Sequence, residues 1–276
     1  MEKGHFKVAS GSELYYQHWR CEADAKAVVL LVHGLGEHCA RYEAVANVLT
    51  TANIAVCGFD LPGHGNSPGQ AGFINSFDDF ASAVMSFRQN VESWYPGKPI
   101  FLLGHSMGGL ISSLVLLKNQ KQFAGCILSG PAIMSPLKPG AVQMAIINLL
   151  STLVPKVGVL QLDAAGVSRD DAVVEDYIND PLVHHGKVSA RLVKELFTSM
   201  QEVQDKAETI NTPMLLLHGG ADSMAAPAGS EFLHQRISSG DKQLEIFDGL
   251  YHEIFNEPES PEIHAKLAAW ITQRLA

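Results

Sequence analysis

The chain has 276 residues, 46% of them hydrophobic and 18% charged, with a formal net charge of −9. A chain of this length can bury roughly 75% of its unfolded surface without a disulfide or metal staple, and its ordinary apolar content excludes disorder. With no basic stripe to displace counterions, a nucleic-acid partner is not expected, and an uncharged or weakly charged small molecule fits better.

Short apolar runs alternate with helical patterns, which predicts an α/β protein with a mostly parallel sheet of eight strands and helices on both faces. An opening hairpin is expected at Phe6–Ala9 and Leu14–Trp19, joined by Ser10-Gly11-Ser12. A strand at Ala27–His33 and a helix at Tyr42–Thr51 follow, then a strand at Ile54–Phe59 and a helix at Phe77–Trp94 that opens on Ser76 and the acids Asp78 and Asp79. Next come Ile100–Leu103 as a strand, Leu110–Lys118 as a helix and Cys126–Ser129 as a strand. After a long interval the alternation resumes with strands at Met214–His218 and Leu244–Phe247 and helices at Ala228–Ile237 and Pro261–Arg274.

The interval between Ser129 and Met214 shows no convincing strand and is too long for a plain loop. It is read as a helical cap inserted into the core, giving a first core part at 1–131, a cap at 132–207 and a second core part at 208–276. The apolar stretch Ala141–Leu162 is interrupted by Pro155 and Lys156, so two short amphipathic helices broken at Val154-Pro155 are expected rather than a membrane span. The four cysteines, Cys21, Cys39, Cys57 and Cys126, form no C-x-x-C pair, and the N-terminal residues lack a signal-peptide pattern. Buried thiols, no metal, no cofactor and a cytoplasmic location, peripheral at membranes through the cap, are the expectations; oligomeric state is left open.

G-x-S-x-G occurs twice. Ser67 is followed by Pro68 and a glycine-rich loop, where no helix can begin. Ser106, in Gly104-His105-Ser106-Met107-Gly108-Gly109, stands between a strand and a helix, as a nucleophile elbow requires. A serine hydroxyl needs an imidazole as base, and the imidazole needs a carboxylate to hold its tautomer. Asp222 and His252 follow the last two strands in the order Ser, acid, His, and no carboxylate follows the strand ending at Ser129. His105 is expected to pack behind the elbow, and His218 to be a satisfied core residue. The N–H groups of Met107 and Leu35 are the expected oxyanion donors, Leu35 lying in the glycine loop His33-Gly34-Leu35-Gly36-Glu37-His38.

These residues together resemble the α/β-hydrolase superfamily, and within it the monoacylglycerol lipase and lysophospholipase family. The motifs that carry the resemblance are His33 to His38 with Arg41-Tyr42, Asp60-Leu61-Pro62-Gly63-His64-Gly65-Asn66-Ser67, the Ser106 elbow, Asp180-Pro181-Leu182-Val183, His218-Gly219-Gly220-Ala221-Asp222 and Tyr251-His252. The resemblance implies cleavage of monoacylglycerols to fatty acid and glycerol without a cofactor, with polar contacts to the glycerol head from Glu37, Arg41 and His252. Animal members carry cap cysteines that this chain lacks, so thiol-directed inhibition there is not expected. In the cap, Ile146, Leu149 and Leu150 are expected to form the mouth of an acyl tunnel. Burying ten methylenes would supply ~8 kcal/mol before binding costs. A short- or medium-chain carboxylesterase or lysophospholipase with the same three residues is the alternative, a proline-type peptidase a further one, and a non-catalytic binding module the rival from another class.

Overall fold

The computed structural model describes residues 1–137 and 139–275. In chain order the core begins with β1 (Glu2–Lys7), β2 (Glu13–Trp19), β3 (Ala27–Val32), α1 (Glu43–Thr51), β4 (Ile54–Phe59), α2 (Phe77–Trp94), β5 (Ile100–His105), α3 (Met107–Asn119) and β6 (Gly125–Ser129). An insertion follows, made of α4 (Ala141–Leu153), β7 (Gly158–Leu160), α5 (Asp171–Asn179), β8 (Val188–Ser189) and α6 (Ala190–Lys206). The core then closes with β9 (Met214–Gly219), α7 (Pro227–Arg236), β10 (Lys242–Phe247) and α8 (Ser260–Thr272). The main sheet has the order β1-β2-β4-β3-β5-β6-β9-β10. Strand β2 pairs antiparallel with β1 and β4, and the remaining pairs are parallel. This is the α/β-hydrolase fold that the motifs implied.

Because side chains alternate across a strand, each central strand feeds two cores. Val28, Leu30 and Val32 of β3 pack with α2, α3, α6 and α7, through residues such as Phe87, Leu114, Leu196 and Leu233. Ala27, Val29 and Leu31 pack on the other face with α1 and α8, through Leu49 and Trp270. Covering on both faces is why these strands read as continuous apolar runs rather than alternating ones. Among the described residues no helix is long and apolar enough to cross a membrane.

Three expectations are corrected. The first strand ends at Lys7 instead of running on to Ala9, because the N–H of Val8 bonds the Ser12 carbonyl and the N–H of Gly11 bonds that of Val8, starting the turn there. The stretch Ala141–Leu162 is not two helices. It is a single helix ending before Pro155, which cannot continue it, and then strand β7. The insertion therefore does contain strands, β7 and β8, paired antiparallel across Gly158–Ser189 and Leu160–Val188; at three and two residues they are too short to display a period.

The last helix of the insertion, α6, belongs equally to the core. Leu192, Leu196, Met200 and Val203 lie in the same cluster as the side chains of α2 and α3. By contrast α4 packs on α6 and buries only Ser151 fully. It leaves Val142 (74% exposed), Ile146 (52%), Leu149 (58%) and Leu153 (70%) in one stripe at i, i+4, i+7 and i+11.

Candidate active site

Strand β5 runs into Ser106, whose φ of 53° and ψ of −120° lie outside the regions that side-chain-bearing residues favour, and helix α3 begins at the next residue. Such a backbone costs roughly 1–3 kcal/mol and persists because the surroundings fix it. Gly104 and Gly108 make the turn feasible. A Cβ on Gly108 would run into the carbonyls of Val32 and His33, and one on Gly104 into the Ser112 hydroxyl and the Gly108 carbonyl. The other G-x-S-x-G serine is structural: the Ser67 hydroxyl donates to the Asp60 carbonyl at 2.6 Å and accepts from the N–H of Tyr15 at 3.0 Å.

The loops after β9 and β10 bring Asp222 and His252 to the elbow. His252 Nε2 lies 2.8 Å from Ser106 Oγ, and its Nδ1 lies 2.6 Å from Asp222 Oδ2. The second oxygen of Asp222 accepts the N–H groups of Met224 at 2.8 Å and Ala225 at 2.9 Å. Burial would raise the Asp222 carboxyl, but the bonds from His218, His252 and Ala225 hold it well below the usual carboxylate range. Burial would likewise depress His252; the bond and charge of Asp222, with Glu253 and Glu37 behind it, outweigh that and set the ring above its ordinary 6.5. His105 packs against His252 at 4.7 Å between ring centres, and its Nδ1 lies 3.2 Å from Ser129 Oγ. Burial and the neighbouring His252 push it down to about 3, so it stays neutral and does not compete as a base.

The glycine loop after β3 lies against the elbow, Gly34 closely facing Ser106. The N–H of Gly34 turns away to Glu37 Oε1 at 2.6 Å. Among the described residues, neither the N–H of Leu35 nor that of Met107 donates to a protein acceptor. The second of these opens helix α3, where the helix dipole favours negative charge.

Glu37 and Arg41, which the resemblance places at the substrate's head group, are bonded to each other and to neighbouring protein groups. Glu37 is buried, and besides Gly34 it accepts from the Tyr42 hydroxyl at 2.7 Å and from Arg41 Nη1 at 3.2 Å. Arg41 in turn holds Glu253 through two bonds of 2.6 and 2.8 Å, and its guanidinium lies over the ring of Tyr177, 4.7 Å from its centre. One cation between two carboxylates thus ties the glycine loop to the residue next to His252. Glu253 itself lies below the usual range because Arg41 outweighs its burial, whereas burial raises Glu37. The Asn256 amide donates to Glu253 as well.

The insertion reaches both loops. Its Asp180 lies 2.8 Å from His38 Nε2, its His184 N–H bonds the Gly36 carbonyl at 2.7 Å, and its Val167 carbonyl accepts the N–H of Glu253 at 2.7 Å. Around Ser106 only a small hollow of about 20 Å³ remains, walled by Leu35, Leu162, Tyr177 and Met224 among others. A larger apolar cavity of about 470 Å³ lies within the insertion, lined by Ile146, Ile147, Leu150, Leu160, Val193 and Phe197 among others. Leu160 lines the cavity and Leu162, two residues on, lines the hollow. Of the three residues expected at a mouth, Ile146 and Leu150 line this cavity; Leu149 does not, because it sits on the outward side of α4.

Sequence reasoning missed Glu253, Tyr177 and the second contact of His218, which touches Asp222 Oδ2 at 3.0 Å. The four-residue spacing of His218 and Asp222 was the one visible hint. Glu253 is legible only once Arg41, 212 positions earlier, is known to face it.

Residues 23–259 match the family described as serine aminopeptidase, S33. The monoacylglycerol lipase of Mycolicibacterium smegmatis is 34% identical over 270 residues, covering 98% of this chain and 96% of that protein. The monoglyceride lipase of Rattus norvegicus is 31% identical over 275 residues, covering 99% and 91%. Among solved structures, the monoacylglycerol lipase of Paleococcus ferrophilus superposes with a TM-score of 0.86 at 34% identity, covering 95% of this chain and 99% of that one.

Proposed function

The chain belongs to the monoacylglycerol lipases within the serine aminopeptidase S33 family of α/β-hydrolases, and from that premise we propose how it cleaves the carboxylic ester of monoacylglycerols to a fatty acid and glycerol. The observation that carries the reading is the unbroken line of contacts from Ser106 Oγ through both nitrogens of His252 to Asp222. In the first half-reaction Ser106 Oγ attacks the ester carbonyl while His252 Nε2 takes its proton. The carbonyl oxygen gains negative charge and is met by the N–H groups of Leu35 and Met107. Collapse of this intermediate breaks the ester C–O bond, and His252 gives its proton to the departing glycerol oxygen. Water then enters, loses a proton to His252 and attacks the acyl-serine; release of the fatty acid returns the proton to Ser106.

Two features favour an ester over a peptide with a free amine. An amine would need an unpaired carboxylate near the elbow, and both acids there, Glu37 and Glu253, are already committed to Arg41. The apolar cavity beneath α4 suits an acyl chain, with Ile146 and Leu150 against it. In this reading residues 132–207 act as a cap whose segment Leu160-Gln161-Leu162 shifts to join the cavity to Ser106, and the exposed stripe of α4 rests on the lipid surface that supplies the substrate.

The test is labelling with a fluorophosphonate probe followed by turnover of a monoacylglycerol chain-length series. Ser106→Ala is expected to abolish labelling and to reduce turnover on the order of 10⁴-fold or more while the protein stays folded. Labelling that persists in this variant would refute the assignment, and equal turnover of acetyl and long-chain esters would refute the lipid preference.

A further inference from the structure

His218 is the next-to-last residue of β9, Met214-Leu215-Leu216-Leu217-His218-Gly219, and the strand's other side chains are all apolar. It is wholly buried, and a polar ring in such a place costs free energy unless its nitrogens find partners. Both do. Nε2 faces Asp222 Oδ2 at 3.0 Å and the Ala225 carbonyl at 3.2 Å, two groups that only accept, so the ring hydrogen sits on Nε2. Nδ1 lies 2.7 Å from the hydroxyl of Ser230 on α7, itself wholly buried, and with the ring hydrogen on Nε2 it accepts from that hydroxyl. Asp222 Oδ2 therefore stands between two imidazoles, with His252 Nδ1 on its other side at 2.6 Å. The arrangement is a line of five side chains: Ser106, His252, Asp222, His218 and Ser230.

We propose that His218, with its tautomer set by Ser230, is a positioning residue for the catalytic acid, its Nε2–H fixing Asp222 Oδ2 in the direction of His252 Nδ1. The proposal rests on the reading of Ser106, His252 and Asp222 as nucleophile, base and acid. Two backbone N–H groups hold Oδ1, but among the described side chains only His218 and His252 contact Oδ2. When His252 accepts the serine proton, the carboxylate must already face it, because turning a buried charge during the reaction would add to the barrier. Packing alone would be satisfied by leucine, as at the three preceding positions.

The experiment compares wild type with His218→Leu, His218→Gln and Ser230→Ala. The readouts are kcat and KM on a soluble short-chain monoacylglycerol, thermal unfolding, and the low-field proton resonance of the His252 Nδ1–H bond to Asp222. His218→Leu is expected to lower kcat ~tenfold or more, with KM within about twofold and the resonance displaced or broadened. Glutamine keeps an N–H near the place of Nε2 and is expected to restore most of the lost kcat. Ser230→Ala is expected to lower kcat severalfold at unchanged KM. Folded His218→Leu with kcat within about twofold of wild type and an unmoved resonance overturns the proposal, as does glutamine performing no better than leucine. Should His218→Leu not fold, Ser230→Ala decides: unchanged kcat and resonance overturn the proposal. Failure of the underlying reading is separate, since wild type would then not take a fluorophosphonate label at Ser106.

Discussion

At the scale of single residues, the site turns on the unequal treatment of two titratable groups. His252 must be neutral to take the Ser106 proton, and Asp222, Glu253 and Glu37 together hold its ring above 6.5. The acid limb of kcat/KM is therefore expected to have its midpoint above 6.5, with activity lost as pH falls through it. The linkage to stability has the opposite sense: a raised folded-state value makes the protonated ring stabilising below the unfolded value, and that contribution disappears as pH rises through the folded one. Asp222→Asn removes the largest influence raising the ring. Its limb is expected to move to lower pH, with kcat down about 10⁴-fold because the tautomer is no longer enforced; a pH profile of the variant that keeps the wild-type midpoint would contradict this. Ser106, Asp222 and His252 were legible in the sequence because each follows a strand end and they come in one order. Glu37 and Arg41 were visible as a motif, but the bonds of Arg41 to Glu253 were not. A buried acid and base announce their pairing only when the third partner, Glu253, is placed beside them.

At the scale of elements, the strands of the core were legible because burial on both faces leaves an uninterrupted apolar run, and their helices because caps such as Ser76, whose hydroxyl accepts the N–H of Asp78, mark where they begin. Strands β7 and β8 were hidden by their length, and α5, nine residues long, was not among the expected helices. In the structure the Asp170 side chain caps that helix by accepting the N–H of Ala172. What no periodicity records is how the loops are tied together. The glycine loop and the His252 loop leave different strands, and Arg41 joins them by lying between Glu37 and Glu253. Removing a partner from a buried ion pair typically costs 3–5 kcal/mol, because the carboxylates left behind lose both solvent and counter-charge. Arg41→Leu is thus expected to lower the unfolding temperature on the order of 10 °C and to depress kcat, since Leu35 would no longer be held against Ser106. A thermal melt within about 2 °C of wild type would show that the ion pair contributes little to stability, and an unchanged kcat that it does not position the loop.

At the scale of the whole molecule, an acidic protein carries a stripe of exposed apolar side chains on one helix of the insertion, next to the acyl-sized cavity that Ile146 also lines. The stripe of Val142, Ile146, Leu149 and Leu153 is half to three-quarters exposed. At about 25 cal/mol per Å², its burial would be worth roughly 1–2 kcal/mol per side chain before the cost of association, which is enough for reversible contact and too little for stable anchoring. The net charge of −9 works against contact with an anionic bilayer within about a Debye length. Binding is therefore expected to be stronger to zwitterionic than to anionic vesicles at low salt, and added salt is expected to narrow the gap. Val142, Leu149 and Leu153 lie outside the cavity lining, so replacing all three by Glu leaves the catalytic groups untouched. Sedimentation with zwitterionic vesicles and turnover of long-chain monoacylglycerol within them are both expected to fall ~tenfold or more, from the lost apolar transfer together with the cost of bringing carboxylates to the interface. Turnover of a soluble short-chain monoacylglycerol is expected to stay within about twofold, because that substrate bypasses the interface. If the triple variant sediments with vesicles as wild type does, α4 is not the surface that meets the lipid.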